Sequence, residues 1–84
     1  MKSHRRESFD RLYHELPLNV QEGARRAYLM WSRNHWHPSL RFKPMGGSRW
    51  SVRVGAHHRA VGLLDGETIT WFWIGTHEEY NKLF

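Results

Sequence analysis

The sequence predicts an α+β fold in which an N-terminal helical hairpin packs on a four-stranded antiparallel sheet and a short helix ends the chain. Apolar residues first recur with helical spacing and then, after His37-Pro38, alternate with a period of two. Asp65-Gly66 adds a strong hairpin signal between the last two strands. With 84 residues, the chain is expected to form a single domain over residues 1–84.

Two apolar stripes predict the helical hairpin. The first predicts a helix over residues 5–15 and consists of Phe9, Leu12, Tyr13 and Leu16. Pro17 ends this helix, because the residue before a proline is pushed out of the α region. The second stripe predicts a helix over residues 19–34, capped by Asn19, and consists of Val20, Ala24, Ala27, Tyr28 and Trp31. The short link implies antiparallel helices with an apolar face in need of a partner.

Alternation predicts strands over residues 40–44, 49–54, 58–64 and 68–74. In the last strand both sides are apolar, which predicts that both faces are covered. One side is expected to carry Ile69, Trp71 and Trp73, and the other Thr70, Phe72 and Ile74. A final helix is expected over residues 76–84, with Thr76 as its cap and two glutamates in its first turn.

The sheet is expected to have one apolar and one basic face. The face toward the helical hairpin should carry Phe42, Trp50, Val52, Val54, Val61 and Leu63. The alternation then directs Arg41, Lys43, Ser51 and Arg53 to the opposite face. Like charges on neighbouring strands destabilise a sheet, so their clustering indicates an anion site. The alternative is a solvated face whose arginine stems cover aromatic rings.

The charge of the chain favours an anionic partner. Thirteen Lys and Arg residues, ten of them Arg, oppose eight Asp and Glu residues, giving a formal charge of +5. Planar guanidinium groups suit phosphate, so nucleic acid is the expected ligand. The N-terminal segment lacks the apolar run of a signal peptide, and no run is long enough to span a bilayer. A cytoplasmic protein without a membrane partner is therefore expected.

Four residues form the candidate catalytic set. Arg53 and Arg59 flank one predicted turn, where two guanidinium groups can clamp a phosphodiester. An ion pair with a carboxylate is the alternative for Arg59. His77 and Tyr80 share one side of the final helix, and imidazole exchanges protons near neutral pH. The alternative is that His77 caps the strand and Tyr80 packs into the core.

The histidines do not predict a metal site. His35, His37, His57 and His58 match no recognised zinc spacing, and the chain has no cysteine. Gly46-Gly47 also lacks the lysine and hydroxyl residue of a phosphate-binding loop. No cofactor is therefore expected.

Several segments together resemble the RelE/ParE family of toxins from type II toxin–antitoxin systems. They are Leu16-Pro-Leu-Asn-Val-Gln21, His37-Pro-Ser-Leu40, Trp50-Ser-Val-Arg-Val-Gly55, His58-Arg-Ala-Val61 and Trp73-Ile-Gly-Thr-His-Glu-Glu-Tyr80. The resemblance implies a helical hairpin packed on an antiparallel sheet. It also implies a metal-independent endoribonuclease that cuts mRNA in the ribosome, where the RNA 2′-hydroxyl attacks the adjacent phosphate.

The resemblance also assigns roles to individual residues. Arg53 resembles the phosphate-stabilising residue of the second family strand, His77 the catalytic histidine, and Tyr80 the aromatic residue that closes the site. Arg59 matches an arginine at a strand start that is often structural. The expected RNA-binding residues are Arg41, Lys43, Arg49, Ser51 and His58.

The chain also departs from the family pattern. Ser51 and Gly55 stand where ribosome-dependent nucleases often have cations, and the usual N-terminal strand is expected to be missing.

Three functions follow from these observations. The first is an mRNA-cleaving toxin that inhibits translation; for this function and the next, an acidic antitoxin is the expected partner. The second is a ParE-like toxin that inhibits a protein such as DNA gyrase without catalytic residues. The third is an inactive RNA-binding relative. The substitution His77→Ala separates them, because only the first function requires this side chain.

Overall fold

Five strands and three helices make up the structure, a computed structural model that describes residues 1–84. In chain order they are β1 (Lys2–Arg5), α1 (Glu7–Glu15), α2 (Leu18–Arg33), β2 (Lys43–Gly46), β3 (Arg49–Val54), β4 (His58–Asp65), β5 (Thr68–Thr76) and α3 (His77–Leu83). The sheet order is β1-β5-β4-β3-β2, antiparallel except for the β1–β5 pair. The predicted α+β class and its helical hairpin on a sheet are confirmed.

The hairpin of α1 and α2 is joined at Pro17, as predicted. Leu16 is extended, with φ −74° and ψ 151°, because the following proline excludes the helical conformation. Gln21 is buried in the joint, and its side-chain amide donates to the Leu16 carbonyl at 3.0 Å. Asn19 is not the cap of α2, because the helix begins at Leu18 and Pro17 occupies the capping position.

The N-terminal strand is present, so its expected absence is wrong. Residues Lys2–Arg5 pair in parallel with β5, and the sheet has five strands instead of four. The segment is polar and mostly exposed, so it lacks the apolar alternation of a strand. The backbone edge of β5 holds it, and the Trp71 indole donates to Ser3 Oγ at 3.0 Å. Pairing with a distant segment thus decides its conformation.

The strand expected over residues 40–44 is displaced. Pro38–Leu40 forms a 3-10 turn that buries Leu40, and Arg41 follows in the left-handed conformation with φ 47°. Strand β2 therefore starts at Lys43, and Arg41 is not a strand residue. The expected bounds of β3 are confirmed, and β4 and β5 extend one and two residues beyond the expected ends.

The predicted sides of the last two strands need correction. A bulge leaves Phe72 without a partner, since Val61 pairs with Trp73 and Gly62 with Trp71. Trp73 therefore faces away from Trp71, and the core side of β5 carries Ile69, Trp71 and Ile74.

Val61 and Leu63 do not face the helical hairpin either. They lie opposite Ser51 and Arg49 in the ladder, on the other face of the sheet. Ala60 and Gly62 face the hairpin instead, where the large rings of the core leave room only for small residues. A Cβ on Gly62 would lie 2.9 Å from the ring of Trp71.

Aromatic rings dominate the core between the hairpin and the sheet. Trp31 is 2% exposed and meets Phe42 and Trp71 edge to face, with centroids 5.8 and 5.7 Å away. An open groove of about 810 Å³ separates part of the hairpin from the sheet. Helix α3 packs on the opposite face, where the Phe84 ring that follows it lies 5.4 Å from Trp73. None of the three helices has the length and hydrophobicity of a transmembrane helix.

Candidate active site

Arg59 lies at the centre of the candidate site. The strand order places it on β4 between β3 and β5, and α3 covers it, so only 7% of the residue is exposed. Its guanidinium has no carboxylate partner, because the only ion pair in the structure joins Arg5 Nε to Asp10 Oδ1 at 3.1 Å. Buried charges are normally paired, so this cation is electrostatically uncompensated.

Neutral groups hold the guanidinium in place. Its Nε donates to His77 Nδ1 at 3.3 Å, and one terminal nitrogen donates to Ser51 Oγ at 3.5 Å. The guanidinium carbon lies 5.2 Å from the centre of the Tyr80 ring. The other terminal nitrogen has no protein partner. Among fully buried side-chain polar atoms, only Trp31 Nε1 lacks a partner. This end of Arg59 is therefore free of protein partners but not completely buried.

Ser51 links the arginine to the phenol. Its hydroxyl is fully buried and also accepts a hydrogen bond from Tyr80 Oη at 3.5 Å. Ser51 lies on the predicted face of the sheet, opposite the hairpin, but the burial of this expected RNA contact leaves it to orient its neighbours. The available signal was a single hydroxyl between Trp50 and Val52 in an otherwise apolar part of β3.

Helix α3 positions the imidazole and the phenol. Thr76 and Glu79 form a capping box, with Thr76 Oγ1 accepting from the Glu79 backbone and the Glu79 carboxylate accepting from the Thr76 backbone. The His77 backbone N–H donates to the His57 carbonyl at 2.8 Å, which ties the helix start to the β3–β4 turn. The rings of His77 and Tyr80 are consequently stacked, with centroids 6.1 Å apart.

The contact with Arg59 fixes the tautomer of His77. A guanidinium nitrogen can only donate, so Nδ1 must accept and the proton of the neutral ring lies on Nε2. The lone pair of the imidazole is therefore occupied in the free protein. A ligand that draws the Arg59 guanidinium away would free the lone pair on His77 Nδ1.

Arg53 does not join this cluster. It pairs with Arg59 in the ladder and starts from the same face of the sheet. Its Nε, however, donates to the Gly55 carbonyl at 2.9 Å, and its side chain lines a small cavity beside α2. The structure thus brings together Arg59, His77 and Tyr80 of the predicted set and directs Arg53 elsewhere.

The other predicted RNA contacts are dispersed. Lys43 lies opposite Ser51 on the outer face and is exposed. Arg49 is also exposed, with its guanidinium 6.0 Å from the Phe84 ring. Arg41 lies outside the sheet, and His58 alternates with Arg59, which directs it toward the opposite face. Only Lys43 and Arg49 of this set remain as exposed cations on the face of Arg59.

Two groups near the start of α3 have shifted pKa values. Burial lowers the pKa of His58 below its usual 6.5, with a further decrease from His57 and an opposing increase from Glu79. Hydrogen bonds from the backbone and side chain of Thr76 lower the pKa of Glu79 below its usual 4.5. No three His, Asp or Glu side chains gather closely enough to hold a metal ion.

Comparisons with solved structures indicate the fold class of the chain. The fold is similar to that of the RelE toxin in a RelB–RelE antitoxin–toxin complex from Methanococcus jannaschii, with a TM-score of 0.74, 14% identity and coverage of 96% of this chain and 98% of that one. A YoeB/ParE toxin from Agrobacterium tumefaciens gives a TM-score of 0.70 at 20% identity, with coverage of 92% of this chain and 99% of that one. The isolated Escherichia coli RelE toxin gives a TM-score of 0.66 at 13% identity, with coverage of 96% of this chain and 92% of that one. The structure thus has a RelE-like fold.

The family follows from the sequence itself. Residues 18–82 match the model of the ParE-like toxin domain. The chain therefore belongs to the family of ParE-like toxins. A search of curated proteins gave no match.

Proposed function

We propose that the chain is a cytoplasmic toxin of a toxin–antitoxin system that cleaves mRNA at the ribosome without a metal ion. The observation that carries this proposal is Arg59, a buried guanidinium without a carboxylate partner and with one terminal nitrogen that bonds to no protein group. Uncompensated burial of a cation is costly, so an anion is the expected ligand. A phosphodiester fits, because its two non-bridging oxygens accept hydrogen bonds from one guanidinium fork.

Three side chains would carry the cleavage. Arg59 turns its N–H groups to the phosphate and thereby releases His77 Nδ1, which takes the proton of the 2′-hydroxyl. The 2′-oxygen forms a bond to phosphorus and the bond to the 5′-oxygen breaks, while the Tyr80 hydroxyl gives its proton to the departing 5′-oxygen. The products are a 2′,3′-cyclic phosphate and a 5′-hydroxyl. The proton on His77 then returns to the Tyr80 phenolate through water.

Electrostatics support this assignment of roles. Charge would build up on the phosphate and on Tyr80 in the transition state, and Arg59 lies beside Tyr80. Its guanidinium carbon is 5.2 Å from the phenol ring, close enough to stabilise a developing phenolate in a poorly solvated site. The RNA would lie along the outer face, where Lys43 and Arg49 are exposed.

An acidic antitoxin is the proposed partner. The M. jannaschii relative was solved as a complex of antitoxin and toxin, and this chain has a formal charge of +5. A segment rich in Asp and Glu that covers the outer face would neutralise the same cations that bind RNA.

Mapping of mRNA ends after brief expression tests the function. The intact protein should create new 5′ ends within translated regions, and His77→Ala should reduce them by roughly 100-fold or more, the usual effect of losing a general base. Thermal unfolding of the purified variant controls for folding. Arrest of growth by His77→Ala without new RNA ends would contradict the proposal.

A second candidate is a toxin that inhibits a protein target such as DNA gyrase. The ParE-like family model favours it, and so does the hydrogen bond that occupies His77 in the free protein. For this function His77→Ala should still arrest growth, whereas changes on the exposed surface of the helical hairpin should not.

A further inference from the structure

Arg53 and Arg26 line one cavity that is separate from the Arg59 cluster. The cavity measures about 370 Å³ and lies between α2, the end of β3 and the 3-10 turn. None of its eight lining residues is acidic. Neither arginine has an ion-pair partner, although Glu22 precedes Arg26 by one helical turn. Two unpaired cations thus converge on one concave surface.

The geometry keeps both guanidinium groups available. The hydrogen bond from Arg53 Nε to the Gly55 carbonyl fixes the stem and leaves both terminal nitrogens without a partner in the protein. On α2 the cavity wall includes Gly23 and Ala27, which have almost no side chain. Gly23 is unfavourable inside a helix, and a Cβ there would meet nothing closer than Arg26 Nη2 at 3.8 Å. Packing does not require this glycine, and its effect is to keep the cavity open.

We propose that Arg26 and Arg53 form a second phosphate subsite, which binds a neighbouring phosphodiester of the same RNA strand. The inference rests on the proposed ribonuclease function. Arg53 and Arg59 are direct partners across β3 and β4, so their Cα atoms are about 5 Å apart and their side chains start from one face. One arginine turns under α3 and the other toward α2, so each would contact a different phosphate of one strand. Met30 and Leu40 provide an apolar wall for the attached sugar.

The subsite would fix the position of the RNA and leave the chemistry to the Arg59 cluster. Arg26 is exposed, so it contributes binding and no proton transfer. Its loss should therefore weaken RNA binding while the cleavage rate of bound RNA stays the same.

Binding of fluorescein-labelled RNA tests the subsite. The RNA carries the mapped cleavage sequence, with a 2′-O-methyl group that prevents cleavage. Arg26→Gln should raise the dissociation constant by about 3- to 10-fold and reduce the salt dependence by about one counterion. Arg11→Gln, an exposed arginine on α1 outside the cavity, removes the same charge as a control. The double variant Arg26→Gln/Arg53→Gln should lose less binding free energy than the two single variants lose in sum.

A scan of single methylphosphonate linkages locates the contact. One neutral linkage next to the cleaved position should weaken binding to the intact protein and have no further effect on Arg26→Gln/Arg53→Gln. Equal effects of Arg26→Gln and Arg11→Gln would overturn the subsite and leave the ribonuclease function in place. Weaker antitoxin binding with unchanged RNA binding would assign the cavity to a protein partner and also overturn it. Absence of new RNA ends after expression of the intact protein would refute the ribonuclease function itself.

Discussion

Replacement of Arg59 by methionine should stabilise the protein and abolish its activity. The residue contributes two long hydrogen bonds, of 3.3 and 3.5 Å, worth about 0.5 kcal/mol each. Its contact with the Tyr80 ring adds about 1 kcal/mol. Against this total of about 2 kcal/mol stands a desolvation cost of several kcal/mol for a buried ion. Methionine fills most of the same volume without that cost, so Arg59→Met should gain about 1–2 kcal/mol.

Chemical and thermal unfolding measure this gain. A change of 1 kcal/mol shifts the melting temperature of a domain of this size by about 4–8 °C. Arg49→Met is the matched control, because Arg49 lies on the same face but is exposed and should change stability by less than about 0.5 kcal/mol. A loss of 1 kcal/mol or more in Arg59→Met would refute the reasoning, since it would make the arginine a structural residue.

The remaining predictions concern local structure and pH. Thr76→Ala should cost about 1 kcal/mol, because it removes the side chain that caps α3. Stability should decrease as the pH falls from 6.5, because the unfolded chain protonates His58 before the folded protein does; a second decrease below 4.5, from Glu79, should be smaller in Thr76→Ala. Urea unfolding at pH 7, 5.5 and 4 measures both decreases, and a stability that rises on acidification would contradict them. Gly23→Ala should stabilise the protein by about 0.5–1 kcal/mol. Gly62→Ala should destabilise it by about 1–3 kcal/mol, because its Cβ would lie 2.8 Å from the side chain of Ile69 on the neighbouring strand. Melting temperatures that shift in the same direction for both glycine variants would refute this pair.

Elements with local signals could be predicted from the sequence. Pro17 separates α1 from α2, Gly66 adopts the positive φ of 59° that its turn requires, and Thr76 caps α3 as expected. Each of these signals acts within a few residues of the chain, so it is visible without knowledge of the fold.

Elements that depend on distant partners could not be predicted. Strand β1 has no apolar alternation of its own and exists because the edge of β5 accepts its backbone. The bulge at Phe72 similarly reverses the side of Trp73, since one unpaired residue shifts every following side chain to the other face. In both cases the information lies in a segment far away in the sequence.

The candidate site also combines features that the sequence predicts with features that depend on distant contacts. The sequence by itself determined which residue types were available: a basic pair around the β3–β4 turn, and an imidazole and a phenol one helical turn apart at the start of α3. Only the tertiary structure decided that α3 buries Arg59 against His77 and Tyr80, while Arg53 turns to α2. The physical reason is that burial and the absence of a counterion arise from three-dimensional packing, which residue spacing along one chain does not encode.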